Sequence, residues 1–505
     1  MIHDFNDQGE KMQFTSTRRS LTLDSAQVIT KGISDEGGLF VPRSFPVLSE
    51  DLIDRMTAMN YRDRAKTVLS LFLTDFTPEE ISRCVDGAYC GTFENDDPAP
   101  LREVAPGMNL LELWHGPTCA FKDMALQLLP YLLTTAAAKT APGRTMVILV
   151  ATSGDTGKAA LDGFADVDGT RIIVFYPQDG VSPMQKLQMT TQSGSNVAVC
   201  AIEGNFDDAQ TGVKKIFADK GMRDFLESGK MEFSSANSIN FGRLAPQIVY
   251  YVSAYCDLVR DGKLRMGEAI NVAVPTGNFG NILAALYAKR MGIPIRRFIC
   301  ASNRNNILTD FIRTGVYDRN RPFYTTSSPS MDILISSNLE RLLYHLSGND
   351  AGLVSSLMTQ LSGTGRYDAG AEILGKIQAE FSAGFCDEES TVKTISDLFR
   401  EKRYLCDTHT AVAVKVCGDY VRETGDGTPC VIASTASPFK FAADVLPAIS
   451  GDAVPEDGFA LLEKLSVVSG VPVPKPLAEL KNRPVLHKTC VKKESMAEFI
   501  RGFLA

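Results

Sequence analysis

Three short segments of this 505-residue chain combine residue types that can do covalent or anion-binding chemistry. The first, Leu113-Trp114-His115-Gly116-Pro117-Thr118-Cys119-Ala120-Phe121-Lys122-Asp123, sets Lys122 beside an aromatic residue where a helix is predicted to begin and run on through Leu129. An amine near the positive end of a helix and partly withdrawn from water sheds its proton more readily and becomes a better nucleophile. A solvated surface lysine is the competing reading, and the dense Gly-Pro-Thr and Phe neighbourhood weighs against it. The second segment, Thr152-Ser153-Gly154-Asp155-Thr156-Gly157-Lys158, follows an apolar run, and its small and hydroxyl residues suit an anion pocket lined by backbone N–H groups. It is not a nucleotide-triphosphate loop, because Thr152 and Ala159 stand where that motif needs Gly and Ser or Thr. The third, Pro275-Thr276-Gly277-Asn278-Phe279-Gly280-Asn281, lets backbone amides approach a phosphate at a helix N-terminus. It lacks the third glycine of a dinucleotide fingerprint, since Leu283 occupies that place, and a purely structural tight turn is the alternative. A reactive amine and a phosphate cradle on one scaffold are what a pyridoxal phosphate enzyme requires of its protein.

Such segments need elements that end a strand and start a helix at the same point. From about residue 140 to 300, short β-branched runs alternate with helical patterns. Strands are predicted at 146–151, 171–176, 196–203, 269–275 and 297–301, and helices at 157–165, 183–191, 206–221, 243–260 and 281–291. A last unit pairs a strand at 430–434 with a helix at 439–449. Apolar strands joined by helices make a parallel sheet, which binds ligands at the carboxyl ends of its strands. The first 95 residues read differently, with a turn at 35–42 and helices near 50–56 and 63–73. Three parts follow: a small module at 1–95, an α/β lobe at 96–270 with the lysine and the substrate loops, and an α/β lobe at 271–505 with the phosphate loop. Residues 305–405 form a helical insertion in the last.

Composition narrows the classes. Hydrophobic residues make up 44% and charged residues 22%, as in an ordinary globular protein. A net charge of −8 argues against broad binding to nucleic acid or anionic membrane, though not against a small anion held by local donors. No apolar stretch is long enough to span a bilayer, and the polar, acidic start does not resemble a secretion signal. The 11 cysteines are scattered without C-x-x-C spacing and the five histidines are dispersed. No metal site is expected, and the cysteines read as reduced thiols of a cytoplasmic protein.

The ordered motifs resemble the threonine synthase family nearly end to end. Thr15-Ser16-Thr17-Arg18 and Asp35-Glu36-Gly37-Gly38-Leu39-Phe40-Val41-Pro42 are similar to its opening segment, and His115–Asp123 to its cofactor-lysine motif. Ser153–Gly157, Asn237-Ser238-Ile239-Asn240, Pro275–Asn281, Ser328-Pro329-Ser330-Met331-Asp332 and Asp407-Thr408-His409-Thr410-Ala411 follow in the family's order. The insertion matches the longer class of bacteria and fungi. Trp114, Cys119 and Gly242 depart from the common pattern and bear on pocket shape.

The resemblance implies the type II fold of pyridoxal phosphate enzymes, with two open parallel-sheet α/β lobes, a small N-terminal module and a helical insertion. It implies Lys122 as the cofactor-bearing lysine with Phe121 beside the ring. It further implies the amides of Gly277, Asn278, Phe279, Gly280 and Asn281 on the cofactor phosphate, and Thr435 as hydroxyl partner of the pyridine nitrogen. Taken alone, Thr435 would be an ordinary N-cap before Pro438. Ser153, Asp155 and Thr156 would receive the substrate carboxylate. Asn237, Ser238 and Arg243 would receive the substrate phosphate, the alternative for Arg243 being an exposed helix charge. The implied reaction is that of a carbon–oxygen lyase of threonine biosynthesis, converting O-phospho-L-homoserine and water to L-threonine and phosphate in a monomer or homodimer. The runner-up is a related lyase that releases 2-oxobutyrate. A non-catalytic metabolite-binding protein on the same scaffold would need a defective lysine, cradle or hydroxyl partner, and none is missing.

Overall fold

The computed structural model describes residues 11–505 apart from Ser153, Asp179 and Gly180, and only the backbone of Phe206 and Asp207. Two sheets organise the chain. The five-stranded sheet is wholly parallel and runs Cys490–Lys492, Val197–Glu203, Thr170–Pro177, Thr145–Ala151, Met231–Ser234 from edge to edge. The six-stranded sheet runs Phe381–Phe385, Ile295–Ser302, Ile270–Pro275, Cys430–Ser434, Met108–Glu112, Leu101–Ala105, and only the last strand is antiparallel to its neighbour. The central strands are apolar on both faces, as at Thr145–Ala151, where Met146 to Val150 are all buried. That is the signature of sheets covered by helices on both sides. Each sheet draws chain from distant parts of the sequence: residues 101–112 pair beside 430–434, and 490–492 pairs with 201–203.

The helix Phe241–Arg260 lies at the centre, with every residue from Phe241 to Leu258 buried. A helix apolar on all sides must be an internal one. It packs against Gly280–Arg290, Tyr61–Phe72 and Glu50–Thr57. Arg64 and Asp257, 2% and 3% exposed, form a 2.6 Å ion pair that ties the N-terminal helices to it. The short antiparallel pair Phe14–Ser16 and Phe40–Pro42 sets the Phe14 ring edge-on to Phe241.

Four expectations change. The helix expected at 206–221 is two helices, Phe206–Ala218 and Lys220–Ser228, because Asp219 leaves the helical conformation and caps the second by accepting from Met222 N–H at 2.6 Å. The helix expected at 439–449 opens with the 3-10 turn Pro438–Phe441, which leads into Ala442–Ser450. The 305–405 insertion is not only helical: Phe381–Phe385 adds an edge strand to the six-stranded sheet, and Val316–Asp318 pairs with Arg366–Asp368. The N-terminal part gains Pro78–Tyr89, whose start is a capping box of Thr77 and Glu80 with Pro78 in the first turn.

Candidate active site

Lys122 is delivered by a backbone seam. Phe121 N–H donates to the Thr435 carbonyl at 2.8 Å, Ser437 N–H to Cys119 at 3.0 Å, and Leu113 N–H to Ser434 at 3.0 Å. This places Phe121, Lys122 and Thr435 at the carboxyl end of the strand Cys430–Ser434, where a parallel sheet presents its ligand site. The turn before the lysine is locked by Asp123, whose carboxylate accepts from Thr118 N–H at 2.8 Å and Thr118 Oγ1 at 2.6 Å. Lys122 is 9% exposed, which removes the solvated-surface alternative. Burial draws its amine down to about 8, against the opposing pull of Asp155 and aided by Lys440 and Arg243. Its Nζ lies 3.4 Å from Ser330 Oγ, 3.9 Å from Asp155 Oδ2 and 5.0 Å from the centroid of the Phe121 ring. Thr435 is buried, and the capping role before Pro438 belongs instead to Ser437, whose side chain accepts from Phe439 N–H.

The loop 276–281 is held by its carbonyls. Gly277 C=O accepts from Ser336 Oγ at 2.7 Å, and Asn278 C=O accepts from Asn338 N–H and Nδ2 at 3.0 Å each. In a planar trans peptide the following N–H points the opposite way. Fixing these two carbonyls therefore turns the amides of Asn278 and Phe279 towards the other side. Phe279 takes the left-handed conformation (φ 60°), and Gly280–Arg290 starts immediately after it, leaving its first-turn amides free of helical bonds. A side chain at Gly277 would meet the Ser330 carbonyl at 2.7 Å, so the close approach of these two backbones requires glycine. Asn281 accepts from the Tyr251 hydroxyl, while its Nδ2 has no partner among the described residues. The clamp residue Asn338 is itself held by the fully buried Arg341, which also donates to Phe40 C=O at 2.9 Å and Ile239 C=O at 2.5 Å.

On the opposite side, Asp155 opens the helix Asp155–Phe164 and Thr156 is half-buried beside it. The Asp155 carboxylate pairs with Lys440 Nζ at 2.7 Å and accepts from Gln185 Nε2 at 3.0 Å. Burial would raise this carboxyl, but the Lys440 and Lys122 charges outweigh it and hold the group well below the usual range. Ser153, expected in the same loop, lies outside the described residues. Asn237 is exposed and Ser238 half-buried, in the loop leading to Asn240, which caps Phe241–Arg260 by accepting from Gly242 N–H at 2.8 Å. Gly242 is small because a Cβ there would meet Leu129 Cδ1 at 2.8 Å. Arg243, in the first turn of that helix, is 3% exposed, which rules out the exposed-charge alternative. Its Nη1 donates to Ala236 C=O at 3.0 Å, its Nε has no partner, and no carboxylate among the described residues pairs with it. Burial lowers its guanidinium to about 10. A buried cation at a helix N-terminus without a counter-ion is a site prepared for an anion.

Sequence reasoning left Lys440, Gln185, Asn338 and Arg341 without roles, because each acts through residues distant in the chain. Ser330 and His409 sat in recognised motifs but carried no assignment. Among the described residues there is no cluster able to hold a metal and no helix long and apolar enough to cross a membrane.

Three family models cover most of the chain: the threonine synthase N terminus over residues 13–89, the pyridoxal-phosphate dependent enzyme family over 109–435, and the threonine synthase C-terminal region over 410–493. Threonine synthase-like 1 of Homo sapiens is 40% identical over 458 residues, covering 88% of this chain and 61% of the relative. The chain thus spans less than two thirds of the length of the relatives of that name, from 61% to 64%. Threonine synthase of Pseudomonas aeruginosa is 37% identical over 432 residues, 85% of this chain and 89% of that protein. The crystal structure of pyridoxal phosphate-bound threonine synthase from Brucella melitensis superposes with a TM-score of 0.86 at 36% identity, covering 98% and 99% of the two chains. The yeast threonine synthase structure gives 0.87 at 30% identity, covering 97% and 98%. The fold thus agrees with these matches, and the chain belongs to the threonine synthase family of pyridoxal-phosphate-dependent enzymes.

Proposed function

We propose that this chain converts O-phospho-L-homoserine and water to L-threonine and inorganic phosphate. The observation that carries the reading is Arg243, a buried guanidinium without a counter-ion among the described residues, close enough to Lys122 for its charge to depress the amine. A substrate phosphate supplies the missing charge, and Arg offers it a planar fork of donors. The residues present also fit the family's cofactor. Lys122 offers an amine, the freed amides of Gly277–Asn281 a phosphate cradle, Phe121 an aromatic face and Thr435 a neutral hydroxyl for the pyridine nitrogen.

Pyridoxal phosphate, when bound, supplies an electron sink for the carbons next to the substrate nitrogen. Lys122 Nζ, neutral for about half the molecules near pH 8, takes the proton from Cα and then moves protons at Cβ. Arg243, with Asn237 and Ser238, binds the phosphate that leaves Cγ as the C–O bond breaks. The amino-acid carboxylate meets the loop of Ser153, Asp155 and Thr156. The Asp155 charge does not repel it there, because Lys440 neutralises it. Water then adds its hydroxyl at Cβ, its remaining proton leaving with the inorganic phosphate, and Lys122 returns the two protons it took, one to Cγ, which becomes the methyl group, and one to Cα. The 11 cysteines, none in a disulfide and only Cys90 and Cys490 exposed, support a reducing, cytoplasmic setting.

A second reading, release of 2-oxobutyrate with ammonia and phosphate, is consistent with the 40% identity to proteins named threonine synthase-like 1. Incubating the cofactor-loaded protein with O-phospho-L-homoserine and quantifying threonine, 2-oxobutyrate and phosphate separates the two. Threonine in step with phosphate is expected, and 2-oxobutyrate alone overturns the first reading.

A further inference from the structure

We propose that Ser330 is a catalytic residue that holds the Lys122 amine through its hydroxyl, and that His409, oriented by Asp407, is the positioning residue that fixes Ser330. The inference rests on the reading of Lys122 as the cofactor-bearing amine and proton carrier.

A lysine that moves protons between two carbons must stay in place while it is free, and a buried amine needs an acceptor for its N–H groups. Ser330 Oγ, at 3.4 Å, is the hydrogen-bond acceptor that Lys122 Nζ finds among the described residues. Asp155 Oδ2 is farther, at 3.9 Å, and its partner oxygen is engaged by Lys440 and Gln185. The choice of partner matters chemically. A carboxylate at hydrogen-bond distance would stabilise the ammonium and abolish the base, whereas a neutral hydroxyl orients the amine with a much smaller effect on its charge state.

The Ser330 backbone is fixed on both faces. Its carbonyl packs against Gly277 of the phosphate loop, close enough to exclude any Cβ there, while its N–H donates to His409 Nε2 at 3.2 Å. His409 Nδ1 lies 2.7 Å from Asp407 Oδ2, and both residues are buried, at 2% and 0% exposure. The carboxylate demands a proton on Nδ1, leaving the lone pair on Nε2 that the Ser330 N–H needs. Asp407 is held in turn by the N–H groups of His409 and Thr410 at 2.9 and 3.1 Å. From the other end, Asp332 anchors the loop. Its Oδ1 accepts from Asn303, Asn305 and Thr326 side chains at 2.8 to 2.9 Å, and its Oδ2 from Thr326 N–H at 3.0 Å. A three-residue 3-10 turn, Pro329–Met331, is thereby held rigidly between the lysine and the phosphate loop.

Apo-protein titrated with pyridoxal phosphate tests this without substrate. The rate at which the visible band of the lysine-bound cofactor forms should rise with pH as the Lys122 amine loses its proton. The charged groups facing that amine are Asp155, Asp123, Lys440 and Arg243, and all are left intact. Ser330→Ala removes an acceptor of the ammonium form, so the midpoint should fall by about 0.5–1 pH unit. Ser330→Thr, which keeps the hydroxyl, should restore it. In the loaded enzyme, Ser330→Ala should lower kcat about tenfold with KM changed by less than about twofold, the mark of lost positioning. His409→Leu, which leaves Ser330 N–H without its acceptor, should reproduce the downward shift, and it carries the test should Ser330→Ala not fold. An unchanged midpoint in both variants overturns the proposal. A wild-type protein that forms no band, or a band that survives Lys122→Ala, overturns the cofactor reading beneath it and the proposal with it.

Discussion

Replacing Lys440 by methionine should move the Lys122 amine, the proposed base, out of its working range. Lys440 Nζ lies 2.7 Å from Asp155 Oδ1 and donates to Thr118 C=O at 2.9 Å, at 1% side-chain exposure. Methionine keeps the length and loses the charge. Asp155 is then left with Lys122, 3.9 Å away, as its cation. At that distance the attraction is about 4 kcal/mol for an effective dielectric near 20. It works against the burial that now holds the Lys122 amine at about 8, below its ordinary 10.5. What the substitution removes is the like charge of Lys440, which helps to depress the amine while Asp155 already pulls it up. A rise of about 1–2 units leaves burial partly in force, at 1.36 kcal/mol per unit. Near pH 8 the neutral fraction of the amine then falls from about one half to between about a tenth and a hundredth. The sign is fixed: the midpoint of the pH–rate profile moves to higher pH, and the lost rate returns as pH rises through the new value. The assay is phosphate release from O-phospho-L-homoserine between pH 6 and 10, beside the pH dependence of cofactor capture. A folded Lys440→Met protein with an unshifted midpoint in both would refute the argument that Asp155 is kept from Lys122 by Lys440.

Arg243→Ala should weaken O-phospho-L-homoserine binding about 100-fold, since a buried charge-assisted pair is lost, and homoserine binding less than about tenfold; equal losses in isothermal titration would refute the phosphate role. Gly277→Ala forces a Cβ to 2.7 Å from the Ser330 carbonyl and should lower cofactor affinity at least about tenfold with about 1–3 kcal/mol of destabilisation, read by equilibrium dialysis and denaturant unfolding; wild-type affinity would refute the close-packed cradle. Arg341→Met leaves Phe40 C=O, Ile239 C=O and Asn338 Oδ1 without donors and should cost about 3 kcal/mol or more in denaturant unfolding; a change below about 0.5 kcal/mol would show that this hub does not hold the N-terminal strand, the substrate loop and the phosphate-loop clamp together.

Local sequence was informative wherever the controlling interaction is local. The alternation of apolar runs and helical patterns between residues 140 and 300 placed five strands of the two sheets within a few residues, because burial on two faces leaves a continuous β-branched run, but it missed the short, partly exposed Met231–Ser234. Lys122 was legible from its neighbours, since a Gly-Pro turn, an aromatic residue and a helix start lie within seven residues of it. The break at Asp219 was missed because the apolar spacing continues through it, and only the cap to Met222 N–H interrupts the helix. The edge strand Phe381–Phe385 was missed for another reason. It is short, half-exposed and contains glycine, and it exists because Ile295–Ser302 offers it a parallel partner.

What the sequence by itself determined is the fold class and the chemical inventory: a glycine-rich anion loop and a hydroxyl-rich loop at strand-to-helix junctions, and an amine and an arginine at helix starts. Only the tertiary structure decided their charge states and partners. The Lys122 amine is depressed by burial beneath residues from many parts of the chain, and Arg243 has no carboxylate partner among the described residues. Asp155 is claimed by Lys440, 285 positions later, and Ser330 reaches Lys122 across 208. The physical reason is common to these cases. Periodicity and turn chemistry are short-range, whereas desolvation and Coulomb interaction depend on which segments the two sheets bring within a few ångströms.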